Sequence, residues 1–290
     1  MTGARVTPLF GRTRTRSRGP RTAFVLSGGA SLGALQAGML HALYEAEIRP
    51  DLLVATSAGA INAAFAASRA QTVETAEALA SLWGDVRRGD VFPVSPWVLA
   101  GGMLGRRDHV VSPGALRKLL KRHIEFDDLA DATIPLHIVA YDLDARTEIL
   151  LSEGPTADAV VAASAVPGVF PPVNLGGRRL VDGGVANNTP ISQAVALGAQ
   201  RVYVLPTQNC TAAHPLPTRG ALNAAIDGLG VMMRSRLEAD IERFSHQAEL
   251  IVLPAPNTGD VLPTDFGQAP RLVADALAAA RLRLAQAIAA

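Results

Sequence analysis

Apolar residues along the chain gather into short unbroken runs, separated by longer stretches with helical spacing. Residues 23–26 (AFVL) form one such run. It ends in Ser27-Gly28-Gly29 and predicts a buried strand entering a tight turn. Residues 33–46 place Leu35, Met39, Leu40 and Leu43 at helical intervals, and 51–56 (DLLVAT) is a second buried strand. Ser57 follows at once, and 58–67 is an Ala-rich helix. Strand, turn and helix repeated in this way are the rhythm of an α/β domain with a mainly parallel sheet.

The stretch 83–112 breaks the rhythm. It carries Trp83, Phe92, Pro93, Pro96, Trp97, Val98, Leu99, Met103 and Leu104 among paired glycines, with no clean period. It is long and apolar for an ordinary loop. The part over 92–104 is therefore read as a candidate lid or interfacial patch, with an irregular piece of core as the equal alternative. Regular spacing then resumes. Helices are predicted at 113–123, 157–165, 190–197, 218–246 and 271–288, and strands at 136–141, 147–151, 178–181, 201–205 and 250–253. No linker interrupts this series. One domain over 21–290 is expected, preceded by an Arg-rich tail over 1–20 in which Arg12, Arg14, Arg16 and Arg18 alternate with small polar residues.

Composition narrows the class. The chain of 290 residues is 49% hydrophobic with a mean hydropathy of +0.21, enough for a sizeable core. A net charge of +1 gives no reason to expect a nucleic-acid partner. Cys210 is the single cysteine, so no internal disulfide can form. Only Lys118 and Lys121 represent lysine against many Arg and Ala, which points to a GC-rich, bacterial genome. No apolar run is long enough to span a bilayer. The expected location is the cytoplasm, with peripheral membrane contact through the Arg-rich arm as a minor alternative.

Candidate chemistry sits where strands end. Ser57, in Ala55-Thr56-Ser57-Ala58-Gly59, stands between a strand and a helix, where a sharp turn would expose its hydroxyl and aim a helix N-terminus at it. Taken alone, such a serine is more often a helix cap. The turn Ser27-Gly28-Gly29-Ala30-Ser31-Leu32-Gly33 offers backbone N–H groups to an anion, either a phosphate or the oxyanion of an acyl intermediate. The spacing is not that of a dinucleotide fingerprint, and the second strand ends in Thr56-Ser57 with no acidic residue for a ribose. Asp182, in Asp182-Gly183-Gly184, ends a third strand; it is either a base for Ser57 or an Asx-type turn residue. His41, His109, His123, His137, His214 and His246 all lie away from Gly-rich turns at strand ends, so no histidine base is visible. No metal site or cofactor is expected: Asp127, Asp128 and Asp131 read as the start of a helix.

Taken together, these three motifs resemble the patatin-like phospholipase family, which carries a Gly-rich oxyanion loop, a G-x-S-x-G serine and a D-G-G/A aspartate in that order. A fourth block is similar too: Ala163-Ser164-Ala165-Val166-Pro167-Gly168-Val169-Phe170-Pro171-Pro172, with Asn188 and Pro190 following the aspartate. The likeness covers about residues 22–206. It implies a three-layer α/β/α sandwich with a mainly parallel central sheet and a Ser57–Asp182 dyad without histidine. It also implies an oxyanion hole from the N–H groups of Gly28, Gly29 and Ala30, with Ala58. The implied activity is hydrolysis of carboxylic (phospho)lipid esters through an acyl-enzyme, with a lipid or ester as partner. Ala30, Leu32 and Ala55 depart from the family pattern at a Gly, a cation and a Gly. They motivate the alternative of a lipid-binding scaffold with weak or no activity.

Overall fold

The structure, a computed structural model, describes residues 21–93, 109–208, 221–258 and 261–289. The Arg-rich arm, Cys210, His214 and all of the 92–104 stretch after Pro93 lie outside these residues. One eight-stranded sheet organises the rest. Its strands are β1 (Thr22–Leu26), β2 (Leu52–Thr56), β3 (Leu136–Asp142), β4 (Thr147–Leu151), β5 (Val173–Leu175), β6 (Arg178–Asp182), β7 (Arg201–Leu205) and β8 (Glu249–Val252). β8, β7, β1, β2 and β3 run parallel, while β4, β6 and β5 join antiparallel.

Both faces of the sheet are covered, which is why 23–26 of β1 and 52–55 of β2 are apolar at every position. Phe24 and Leu26 of β1 and Leu53 and Ala55 of β2 pack into the larger core. That core is built with α1 (Ala34–Glu45), α2 (Ala58–Ala67), α3 (Val73–Asp85), a helix over Thr156–Ala163 and the closing helix Ala269–Ala289. The alternate residues Ala23, Val25, Leu52 and Val54 face a second core with Ile191, Ala194, Leu237 and Phe244, from the helices Ile191–Ala196 and Ala221–Phe244. The result is the expected three-layer α/β/α sandwich. At Gly38, α1 meets the closing helix so closely that a Cβ would lie 2.2 Å from Val273 O. Among the described residues no helix is long and apolar enough to cross a membrane.

Three departures from the sequence reading have simple causes. Trp83 is not the start of an irregular stretch but lies in the last turns of α3, whose buried face is Thr75, Ala76, Leu79 and Trp83. The indole belongs to the amphipathic period behind it, not to the Pro/Gly-rich run ahead. The chain from Ala30 to Gly33 makes a 3-10 turn before α1 begins at Ala34. The short strand β5 pairs with β6 through Gly176 and Gly177, both at positive φ, in a two-residue hairpin. Phe92, the first residue of the stretch read as a lid or an irregular piece of core, is partly buried against the core and stacks on Phe170 with centroids 5.6 Å apart. Asp128 caps a 3-10 turn, accepting from Ala130 N at 2.9 Å and Gly154 N at 2.8 Å.

Candidate active site

Strand register brings the Gly-rich, serine and aspartate turns together. β1 pairs with β2 and β7 in parallel, Leu26 opposite Ala55 and Leu205, so Ser27, Ser57 and Thr207 all leave the sheet at the same edge. β3 supplies the rest. Its residues 138–139 pair with both β2 and β4, and 140–142 pair with both β4 and β6. β2 and β6 therefore share one edge of β3, running head to head. Thr56 lies opposite Val139, and Asp182 opposite the next residue, Ala140.

Ser57 joins β2 to α2 with φ 54° and ψ −126°, a left-handed conformation unusual for a residue with a side chain. The strain therefore falls on the serine itself. Ala55, where the family has Gly, sits within the strand and is fully buried. Gly59 shows why the turn ends as it does: a Cβ there would stand 2.3 Å from Leu26 O and 2.7 Å from Ser27 O. Only Gly lets α2 start directly against the end of β1.

Asp182 is buried, and its carboxylate accepts from Gly184 N at 2.7 Å, with the Ser57 side chain beside it. Burial pushes its pKa up from the ordinary 3.8 to about 6, against the opposing pull of the Ser57 hydroxyl and the Gly184 N–H. Two backbone contacts hold it in place. Asp182 N donates to Ala165 O at 3.0 Å, which gives the Ala163–Pro172 block its role as the rest for this strand end. Gly183 lies so close to β3 that a Cβ would be 2.4 Å from Val139 O. His41 is paired with Glu45 and His137 with Ser152.

The Gly-rich turn packs on the serine. A Cβ on Gly28 would lie 2.9 Å from Ser57 Cβ and 2.4 Å from Asn188 Oδ1. Here one expectation is corrected. Gly28 N–H is not available to an oxyanion, because it donates to Asn188 O at 3.1 Å. The next two amides differ. Gly28 O accepts from Asn188 Nδ2 at 3.2 Å and from Thr207 Oγ1 at 2.5 Å, and Gly29 O accepts from Leu32 N at 3.1 Å. Because a trans peptide points its C=O and N–H oppositely, these bonds turn the N–H groups of Gly29 and Ala30 the other way. Among the described residues neither N–H is given an acceptor. Ala58 N–H, the first of α2, belongs to the set that a helix leaves unpaired. Ala30 adopts φ 50°, a left-handed conformation that explains the glycine otherwise expected there.

Two residues that sequence reasoning gave no chemical role close the site. Asn188 clasps Gly28 from both sides, and Thr207 joins it; the neighbouring Asn187 O accepts from Thr56 Oγ1 at 3.0 Å. Thr207 has no motif around it. Its only signal is topological, as the residue beyond a strand that lies beside β1.

The family model for patatin-like phospholipases matches residues 24–195. Curated proteins show the same relationship. An uncharacterised NTE-family protein of Mycobacterium tuberculosis is 32% identical over 183 residues, covering 62% of this chain and 29% of that protein. A lysophospholipase NTE1 of Mycosarcoma maydis is 28% identical over 207 residues, covering 68% of this chain and 10% of its own. The chain thus spans under a third of the length of these relatives. Among solved structures, VipD from Legionella pneumophila superposes with a TM-score of 0.52 at 17% identity, over 92% of this chain and 66% of that one.

Proposed function

The chain belongs to the patatin-like phospholipase family, and from that premise we propose that it is a serine lipid acyl hydrolase acting through Ser57 and Asp182. One observation carries the reading: strand register sets Ser57 beside a buried carboxylate whose pKa is pushed up to about 6. A base of that strength is ionised at neutral pH and still accepts a proton, which an ordinary exposed aspartate does poorly. Asp182 takes the Ser57 proton as Oγ attacks the ester carbonyl. The oxyanion that forms is held by the N–H groups of Gly29 and Ala30, with Ala58. The intermediate collapses, and the alcohol leaves with the proton from Asp182. Water then attacks the acyl-enzyme, giving its proton to Asp182. The fatty acid departs and the proton returns to Ser57.

The test is hydrolysis of p-nitrophenyl acyl esters and of lysophospholipid by the protein and by Ser57→Ala. Wild-type kcat/KM rises with pH through an acid limb near the Asp182 pKa of about 6, and Ser57→Ala lacks activity at every pH. Equal rates for the two proteins would sink the proposal. A second variant probes the departure at Ala30. A left-handed Ala costs about 1 kcal/mol more than Gly, while Gly costs roughly 0.4–1 kcal/mol in unfolded-chain entropy. Ala30→Gly therefore melts within about 2 °C of wild type, against the several degrees an ordinary core change produces. It also raises kcat a few-fold, because the methyl beside the oxyanion donors is gone. A calorimetric scan and a rate measurement check both halves.

A further inference from the structure

Beneath the Gly-rich turn runs a closed chain of buried side-chain amides that the mechanism does not use. Trp83 Nε1 donates to Asn62 Oδ1 at 2.8 Å. Asn62 Nδ2 donates to Gln36 Oε1 at 2.8 Å and to Gly33 O at 2.9 Å. Gln36 Nε2 donates to Ser27 O at 2.8 Å and to Leu205 O at 2.9 Å. Gln36 and Asn62 have no exposed surface, and Trp83 almost none. Both amide nitrogens thus spend both of their hydrogens, and both amide oxygens are engaged. Of the three backbone carbonyls reached, Leu205 O ends β7, and Ser27 O and Gly33 O are the first and last of the Ser27–Gly33 turn.

The direction of this chain is set from both ends, because the carbonyls of Ser27, Leu205 and Gly33 can only accept. An indole N–H can only donate, so Asn62 must present its oxygen to Trp83 and its nitrogen inward. Gln36 must then receive with its oxygen and donate with its nitrogen to the carbonyls of the turn. Without the indole N–H these carbonyls still hold both amides as they are, but Asn62 Oδ1 is left buried with no donor. Satisfying that oxygen takes a shift of α2 or the entry of water, and either strains the bonds from Asn62 and Gln36 to the turn. Gly33 reinforces the arrangement: a Cβ there would strike the Trp83 ring at 2.9 Å.

We propose that Trp83, Asn62 and Gln36 are positioning residues that fix the amide orientation of the Ser27–Gly33 turn, with the Trp83 N–H as the donor that completes the chain. The inference rests on the reading of that turn as the oxyanion-binding element. It assigns Trp83 a catalytic consequence at a distance, through bonds and not through contact with substrate. The ring has a separate packing role, stacking on Phe266 at 6.1 Å and 15°.

The two roles separate by substitution. Trp83→Phe keeps a ring against Phe266 and loses the N–H; Phe266→Leu loosens the stack and keeps the N–H. Trp83→Phe lowers kcat about ten- to a hundredfold with KM unchanged, as expected of misaligned transition-state donors. Its acid limb near pH 6 stays in place, since Asp182 is not in the chain of bonds. Phe266→Leu lowers the melting temperature and leaves kcat within about two-fold of wild type, because a loosened stack leaves every relay bond in place. Amide hydrogen exchange of the peptides covering 27–33 quickens about tenfold in Trp83→Phe and stays as wild type in Phe266→Leu. If both variants lose kcat in proportion to melting temperature, or Trp83→Phe keeps wild-type kcat and exchange, the proposal is overturned. Should Trp83→Phe fail to fold, Asn62→Ser carries the same measurements. The exchange arm needs no activity, so a wild-type protein without esterase activity would sink the proposed function while exchange still decides the relay.

Discussion

Asp182→Asn lowers turnover by about 10³–10⁴-fold and yet makes the protein more heat-stable above pH 6. The first effect follows because an amide cannot take the Ser57 proton. The second follows from the cost of burying a charge. Folding raises the Asp182 pKa from 3.8 to about 6, so the folded state prefers the protonated acid. The stability tied to that proton is complete below pH 3.8 and is lost as pH rises through 6. At pH 8 the ionised carboxylate costs about 3 kcal/mol relative to a group that folding leaves unperturbed. Asparagine has nothing to ionise, can still accept from Gly184 N–H, and can turn its own N–H toward Ser57. The variant should therefore match wild type near pH 4 and melt roughly 5 °C higher at pH 8. Melting curves at the two pH values check the sign. A variant that is less stable at pH 8 than at pH 4, relative to wild type, contradicts it.

Gly59→Ala has the largest expected effect on folding. The added methyl would stand 2.3 Å from Leu26 O, 2.6 Å from Leu26 C and 2.7 Å from Ser27 O. All three are backbone atoms of the central strand and its turn, so no side chain can rotate aside. α2 would have to lift from β1, opening the core beneath Ala60, Ala63 and Ala64 and moving Ser57 away from Asp182. A loss of about 3 kcal/mol or more is expected, read as missing soluble protein or a collapse in melting temperature. Gly84 is the internal control. It also lies in a helix, but a Cβ there meets nothing within 4 Å. Gly84→Ala should be neutral or stabilise by up to about 1 kcal/mol.

The sequence made the central strands easy to read because they are buried on both faces. Residues 23–26, 52–55 and 202–205 are unbroken apolar runs, closed by Ser27, Thr56-Ser57 and Pro206. Ser57 stood out because it follows one of these strands, and Asp182 because it ends 178–181 before Gly183-Gly184. What brings them together did not stand out. β6 and β2 abut because they share one edge of β3, a fact of register between strands more than 120 residues apart in the chain. The same is true of the groups that orient the site. Gln36, Asn62 and Trp83 look like ordinary members of three helices, and Thr207 looks like an ordinary loop residue. Each acquires its role only when the turn Ser27–Gly33 is laid over them. Gly28 shows the reverse case. Its place in the motif suggested an oxyanion donor, but its N–H is taken by Asn188 O, and only the neighbouring peptides are turned outward.

A covalent acyl-enzyme at Ser57 is tested most directly by intact-protein mass spectrometry after rapid acid quench. With a slow long-chain ester the protein should gain the mass of one acyl group. Digestion should place it on the peptide containing Ser57, and Asp182→Asn should accumulate far less of it. Turnover with no adduct at Ser57, or an adduct that persists in Ser57→Ala, would contradict the proposed mechanism.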